Sequence, residues 1–289
     1  MRIKKAAVFL GALFFSVALV HGKYLLTDGF SVHQIMIDLP PATCSGVNAV
    51  QRAALGQQYY YLAKGHHSIA FESADRQWVI KFLRFNKFKP KFWASLFSCS
   101  YCQSRQANRL ARLQFIRRSH KIAAKILPQE TGVCCLHFHK TADIQKMLTL
   151  VDRSGRRLRI DPDGTAFVLQ RRLPLYGEAF DEFVRKNDMA AVDAMICSYF
   201  KVIAARCQKL IMNKDRRGWR CNYGLDKDNK AYEIDLGAFV YEPNLLKTEY
   251  YVREFTDCSL DFRVYLQKHL PEKVAFFDQE LFRAINVRS

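Results

Sequence analysis

The run Asn213-Lys214-Asp215-Arg216-Arg217-Gly218-Trp219-Arg220-Cys221-Asn222, continued by Tyr232-Glu233-Ile234-Asp235-Leu236-Gly237, decides how the chain is read. It sets a carboxamide, Asn222, between two carboxylates, Asp215 and Asp235, at intervals of seven and thirteen residues. Asn222 and Asp235 offer hard oxygen atoms of the type that suits Mg²⁺, which takes about one or two protein groups and completes its shell with water. Asp235 falls in an otherwise apolar stretch, Tyr232 to Phe239, predicted as extended, where a carboxylate is costly unless paired or liganded. Each residue also has an ordinary reading: a turn for Asn222 with Gly224, and a structural cap or ion pair for Asp235.

Working outward, the sequence predicts strands first and helices later. Tyr59 to Ala63, Ser68 to Glu72 and Trp78 to Leu83 are short β-rich runs separated by Gly65 and by Ser73-Ala74-Asp75-Arg76, the pattern of an antiparallel meander. A helix over Gln106 to Leu127 follows, with Leu113, Ile116, His120, Ala124 and Leu127 as its apolar stripe and Pro128 closing it. Cys134 to Lys140, Met147 to Arg153, Arg156 to Ile160 and Ala166 to Gln170 read as strands, with Ser154-Gly155 and Asp163-Gly164 as hairpin turns. Asp181 to Lys186 and Met189 to Leu210 are helical, the second along a face of Met195, Tyr199, Val202, Arg206 and Leu210.

Composition narrows the class. The chain has 289 residues, 49% of them hydrophobic, and a net charge of +18, which excludes disorder and allows a sizeable core. Arg2, Lys4 and Lys5 precede an uncharged apolar run from Ala6 to Val20 that ends at Val20-His21-Gly22. This is the order of an export signal, cleaved or, with Lys23 to Leu26, retained as an anchor, and it predicts an extracytoplasmic or secreted protein. Nine cysteines are too sparse for a disulfide-stapled mini-domain. Cys99 and Cys102 with Cys135, His137 and His139 outline a zinc site only if they converge; a disulfide, buried thiols and half-buried strand positions are the plainer readings. No G-x-S-x-G, H-E-x-x-H or P-loop is present, which leaves hydrolase and GTPase readings without a nucleophile or phosphate cradle.

No acidic residue lies between Asp75 and Glu130, while thirteen Lys and Arg do, from Arg76 to Lys125. Residues 76–125 should therefore present a positive face to an acidic protein or an anionic lipid surface. Phe85 to Trp93 interleaves aromatics with lysines, which reads first as a solvated loop whose aromatics tuck into the core, next as a surface for lipid or an acidic partner, and last as a platform for single-stranded nucleic acid.

Leu62-Ala63-Lys64-Gly65-His66-His67-Ser68-Ile69-Ala70-Phe71, then Val79-Ile80-Lys81, then Asn222 and Ile234-Asp235-Leu236-Gly237 resemble, in this order, the protein-kinase-like superfamily. The chain is also similar to uncharacterised exported kinase-like proteins of intracellular bacteria, through Glu130-Thr131-Gly132 and the long spacing before Asn222. The resemblance implies an α+β, two-lobed fold: an N-terminal antiparallel sheet with one long helix, and a reduced helical C-terminal lobe. The expected organisation is a leader at 1–22, an extension at 23–55, a sheet and helix at 56–172 and a helical region at 173–289. It implies ATP and Mg²⁺ as cofactors, with Gly65 and Ser68 in the loop over the phosphates, Lys81 on the α and β phosphates, Asn222 and Asp235 on the metal, and Asp215 orienting an acceptor hydroxyl. The sequence departs from the family in its single loop glycine, where His66, His67 and Ser68 would supply donors, and in lacking an acidic residue where the helix glutamate should meet Lys81. Glu130 or Glu72 would take that place. Two activities follow, a phosphotransferase or an inactive pseudokinase that binds partners through its basic region. An unrelated basic envelope-associated structural protein stands as a third possibility.

Overall fold

The alternation in the first three β-rich runs becomes three strands. In the computed structural model, which describes Phe14, His21, Gly22 and residues 24–89 and 100–286, β1 (Gln58–Lys64), β2 (Ser68–Ser73) and β3 (Trp78–Leu83) pair antiparallel in sequence order. β4 (Val133–His137), β5 (Leu148–Val151), β6 (Arg157–Ile160) and β7 (Phe167–Arg171) complete a seven-stranded, mostly antiparallel sheet in the order β4-β7-β3-β2-β1-β5-β6. The one parallel register among those resolved joins β1 to β5. With the helical C-terminal region described below, the fold is α+β. The chain divides into two compact units, Met1–Lys89 with His137–Val168, and Pro90–Leu136 with Leu169–Ser289, so that the division passes through β4 and β7.

In the first unit, Ile69, Phe71, Ile80 and Phe82 share one buried face of the meander. Phe71 meets Phe30, Tyr61 and Phe82 edge-on at 5.2–5.9 Å between ring centroids. Each such ring contributes about 1.5–3 kcal/mol by leaving water. Lys81, opposite Ala70, and Glu72, opposite Val79, point to the other face, where the register makes them diagonal neighbours.

One expected turn is corrected. Ser154-Gly155 closes the β5–β6 hairpin, with Gly155 at φ +83°, but Asp163-Gly164 joins two strands that are not neighbours. Asp163 is a buried staple instead. Its carboxylate accepts hydrogen bonds from the Thr141 hydroxyl and from the backbone N–H groups of Ile144 (3.2 Å) and Gln145 (2.8 Å). Burial opposes its charge, but these donors outweigh it and hold its pKa below the ordinary 3.8.

The second unit is built on helices α1 excepted, since α1 (Ala49–Leu55) belongs to the first. α2 (Ser100–Lys125) buries Leu113, Ile116, Ser119, His120 and Ala123, and ends before Leu127. Pro128 does not close this helix but opens a short one, α3 (Pro128–Thr131), as proline can at a first helical position. α4 (Tyr176–Arg185) and α5 (Met189–Gln208) follow, the latter capped by Asp188, whose side chain accepts from the Ala191 N–H. Leu210, at φ +58°, turns the chain out of α5. α6 (Thr248–His269) and α7 (Val274–Asn286) pack Phe255, Phe262 and Phe277 against Tyr199, Phe200 and Trp219. Among the described residues no helix is long and apolar enough to cross a membrane; most of the expected leader lies outside them.

Asp163→Asn should destabilise the protein by about 1–3 kcal/mol at pH 7. Because the folded carboxyl titrates below its unfolded value, its contribution is complete above that value and is lost as pH falls through the folded one. The difference between the two proteins in urea unfolding should therefore shrink in acid; a constant difference would deny the charge its role.

Candidate functional site

Two small antiparallel ladders carry the three candidate residues of the second unit. β8 (Ile211–Asn213) pairs with β11 (Phe239–Tyr241), and β9 (Tyr223–Leu225) with β10 (Ala231–Glu233). Asp215 and Asn222 lie on the connection from β8 to β9, and Asp235 on that from β10 to β11. Since Glu233 stands opposite Tyr223, the next residues outward meet: the N–H groups of Ile234 and Asp235 donate to the Asn222 carbonyl at 2.8 and 3.3 Å. The other end is closed by the Lys214 N–H on the Ala238 carbonyl, 2.9 Å. The thirteen-residue interval is thus the length of a hairpin plus its two flanking residues.

Two of the three side chains meet as well, those of Asn222 and Asp215. Asn222 Nδ2 donates to the Arg217 carbonyl at 2.8 Å and to Asp215 Oδ2 at 3.3 Å. Two acceptors on one side fix that edge of the amide as its NH₂ and leave Oδ1 as the oxygen offered elsewhere. Gly218, at φ +88°, holds a backbone conformation that a side chain would strain, and a Cβ there would press on Asn222 Nδ2 at 3.0 Å. Asp215 is held by its N–H on Asn213 Oδ1, 2.9 Å, and Asp235 by its Oδ1 accepting from the Gly237 N–H, 3.1 Å. Asp235 corrects one expectation: β10 ends at Glu233, and Asp235 sits exposed in the bend that follows. No desolvation penalty therefore demands a partner for it.

Beneath the loops lies a residue that the sequence disguised as a helix-stripe position. Arg206 of α5 is fully buried. Its Nε donates to Glu233 Oε1 at 2.9 Å, and its Nη1 to Glu254 Oε1 at 2.7 Å and to the Ile211 carbonyl at 2.9 Å. Glu254 also accepts from the Asn213 N–H (2.9 Å) and from Arg216 Nε (3.0 Å), while Glu233 accepts from the Tyr223 hydroxyl (3.0 Å). Burial pushes the Glu233 carboxyl up, against the pull of Arg206. A second brace is Ser119 of α2, whose hydroxyl donates to the Leu236 carbonyl and accepts from the Phe239 N–H at 2.7 Å. A lone hydroxyl in a buried helical stripe was the only sign of it.

The remaining candidates divide between the units. Gly65, Ser68 and Lys81 are in the first, where the Gly65 N–H donates to the Ser68 carbonyl at 2.9 Å and closes the β1–β2 turn. Glu130 is in the second, buried, with Oε1 2.7 Å from Lys209 Nζ and Oε2 without a hydrogen-bond partner. His137 is engaged by the Thr165 carbonyl and the Thr141 hydroxyl. Among the described residues no three His, Cys, Asp or Glu converge as metal ligands, and Cys99 and the end of the aromatic and lysine run, Pro90 to Trp93, lie outside them. The Asn222 carboxamide and the exposed Asp235 carboxylate, joined through their backbones, are groups of the type that suits Mg²⁺, which keeps most of its water and needs few protein ligands.

No family model and no curated protein matches the sequence. A solved crystal structure of WbdD aligns with 76% of this chain at 13% identity and a TM-score of 0.36. The chain covers 45% of that protein's length.

Arg206→Met should lower unfolding stability by about 3–5 kcal/mol, because it leaves Glu233 buried without a cation and Glu254 with Arg216 alone. Urea unfolding followed through Trp219 and the other tryptophans reads this directly; an unchanged midpoint would show that the network does not hold the loops.

Proposed function

We propose that this chain is a divergent kinase-like protein that binds ATP with Mg²⁺ and transfers the γ-phosphoryl group to an acceptor hydroxyl. The observation that carries the reading is the junction of Asn222 with Asp235 across the end of the β9–β10 hairpin, with Asp215 hydrogen-bonded to the same amide. Phosphoryl transfer asks for little covalent chemistry and much positioning and charge neutralisation, and this set supplies both kinds of group. Asn222 Oδ1 and the Asp235 carboxylate would hold Mg²⁺, which neutralises charge on the β and γ phosphates when bound. Asp215 is exposed and fixed at its backbone, so it can orient an acceptor hydroxyl and take its proton. Lys81 is assigned the α and β phosphates, with Gly65 and Ser68 in the covering turn, on the resemblance to kinases.

A second reading, a pseudokinase, draws on two observations. Glu130 already has a cation in Lys209, and the Gly65 turn is closed by its own hydrogen bond to Ser68. In that case nucleotide binding, if retained, serves a module that docks through its basic region to an acidic protein or an anionic membrane.

ATP with Mg²⁺ should raise the melting temperature, by an amount equivalent to about 2.7 kcal/mol at a hundredfold excess over Kd. Asp235→Ala should abolish the shift, and an equal shift in both proteins would reject the metal role. Asp215→Asn should keep the shift and lower phosphate transfer at least about a hundredfold. A nucleotide shift without transfer to any acceptor would favour the pseudokinase.

A further inference from the structure

The ten residues from Asn213 to Asn222 carry four cations, Lys214, Arg216, Arg217 and Arg220, against one acid, Asp215. The fold uses carboxylates on two of the four. Arg216 meets Glu254 and Asp257, and Arg220 meets Asp181 while lying over the Trp219 and Tyr265 rings at 5.2 and 5.1 Å. Lys214 and Arg217 are exposed, and among the described residues neither forms a salt bridge. They flank the base within two residues on either side. Lys214 Nζ stands 5.6 Å from the centre of the Phe115 ring, and the Arg112 guanidinium of α2 stands 5.1 Å from the same ring. Phe115 therefore joins the loop cations to α2, where Arg105, Arg109 and Arg112 recur at helical spacing and no acidic residue occurs.

We propose that the acceptor is a phosphate-bearing hydroxyl compound, its phosphate held by Lys214 and Arg217, with Arg112 extending the positive surface. The inference rests on the phosphotransferase reading for its chemistry, though not for its binding. A neutral alcohol needs no such cations beside the base. A phosphate brought close to the Asp215 carboxylate is repelled by it, and nearby cations offset that repulsion. An arginine adds a fork of donors matched to phosphate oxygens. Lys214 and Arg217 lie one and two residues from Asp215 along the chain, a short span of positive charge that suits a compact phosphorylated alcohol better than a long acidic peptide. In the step itself, the acceptor oxygen bonds to the γ-phosphorus, the bond from that phosphorus to the ADP bridging oxygen breaks, ADP leaves, and the hydroxyl proton passes to Asp215.

The test measures binding of full-length protein without nucleotide to glycerol 3-phosphate against glycerol, and to phosphatidylcholine vesicles with and without phosphatidylinositol 4-phosphate. Binding to either phosphate-bearing probe and not to its neutral counterpart supports the proposal, the soluble and vesicle arms telling a free phosphate from a lipid headgroup. Lys214→Glu with Arg217→Glu should weaken that binding about tenfold or more, and Lys214→Arg should preserve it. Both variants should keep the thermal shift with ATP and Mg²⁺, which separates this site from the nucleotide reading; loss of nucleotide response in Asp235→Ala bears on that reading alone. The proposal is overturned if neither phosphate probe binds, if the double charge reversal leaves affinity unchanged, or if poly-glutamate binds as tightly as the phosphate probes.

Discussion

A fully buried arginine organises the second unit. Arg206 cannot give up its proton, and a guanidinium in the interior is tolerable only when its donors and charge are met. Glu233 and Glu254 meet them from two elements far apart in sequence, β10 and α6, while the Ile211 carbonyl meets them from β8. Breaking such a cluster is far costlier than replacing it whole with apolar groups, so its value is better seen in what it positions than in net stability. It fixes the last residue of β10, two before Asp235, and through Glu254 the N–H of Asn213, two before Asp215. The exposed carboxylates of the candidate site are thus solvated at their tips and anchored at their roots.

That arrangement separates two demands that often conflict. A metal-binding or proton-accepting carboxylate must keep its oxygen atoms free, yet its backbone must not wander. Here the backbone N–H groups and neighbouring side chains do the fixing: Asn213 Oδ1 holds Asp215, Gly237 holds one oxygen of Asp235, and Ser119 clamps both sides of the bend at Leu236 and Phe239. Asn222 is the joint between the halves, since its carbonyl receives the chain that carries Asp235 and its amide reaches Asp215. Gly218 leaves room for that amide.

Much of this was legible in the chain. The meander appeared because alternation and turn residues agree, and β3 runs from Trp78 to Leu83 as predicted. Asp215, Asn222 and Asp235 were singled out through the resemblance to kinases, and the β9–β10 register brings the backbones of Asn222 and Asp235 together across the thirteen-residue step. Three features were hidden for identifiable reasons. Arg206 occupies an apolar helical stripe, and its partners are 27 and 48 residues away. Asp163-Gly164 has the composition of a hairpin turn, but an aspartate whose oxygens meet distant N–H groups looks the same in sequence as one that closes a turn. Asp235 was placed in a strand because its neighbours are apolar, whereas it lies exposed in the connection after β10, between half-buried Ile234 and buried Leu236.

The distribution of charge follows from the same economy. In a protein this basic, most cations need no explanation, and exposed pairs add little to stability. What distinguishes the loop before Asn222 is selection among neighbours. Arg216 and Arg220 are each given carboxylates, and both are thereby drawn into the support of the loop: Arg216 onto Glu254, already shared with Arg206, and Arg220 onto Asp181 beside the Trp219 ring. Lys214 and Arg217 alternate with them in sequence and face water. A loop that bound only a neutral partner would gain solubility from any of the four equally. The four cations are thus divided into two that hold the scaffold through carboxylates and two that stay exposed next to Asp215 in the chain, Lys214 against the Phe115 ring and Arg217 without a salt bridge among the described residues.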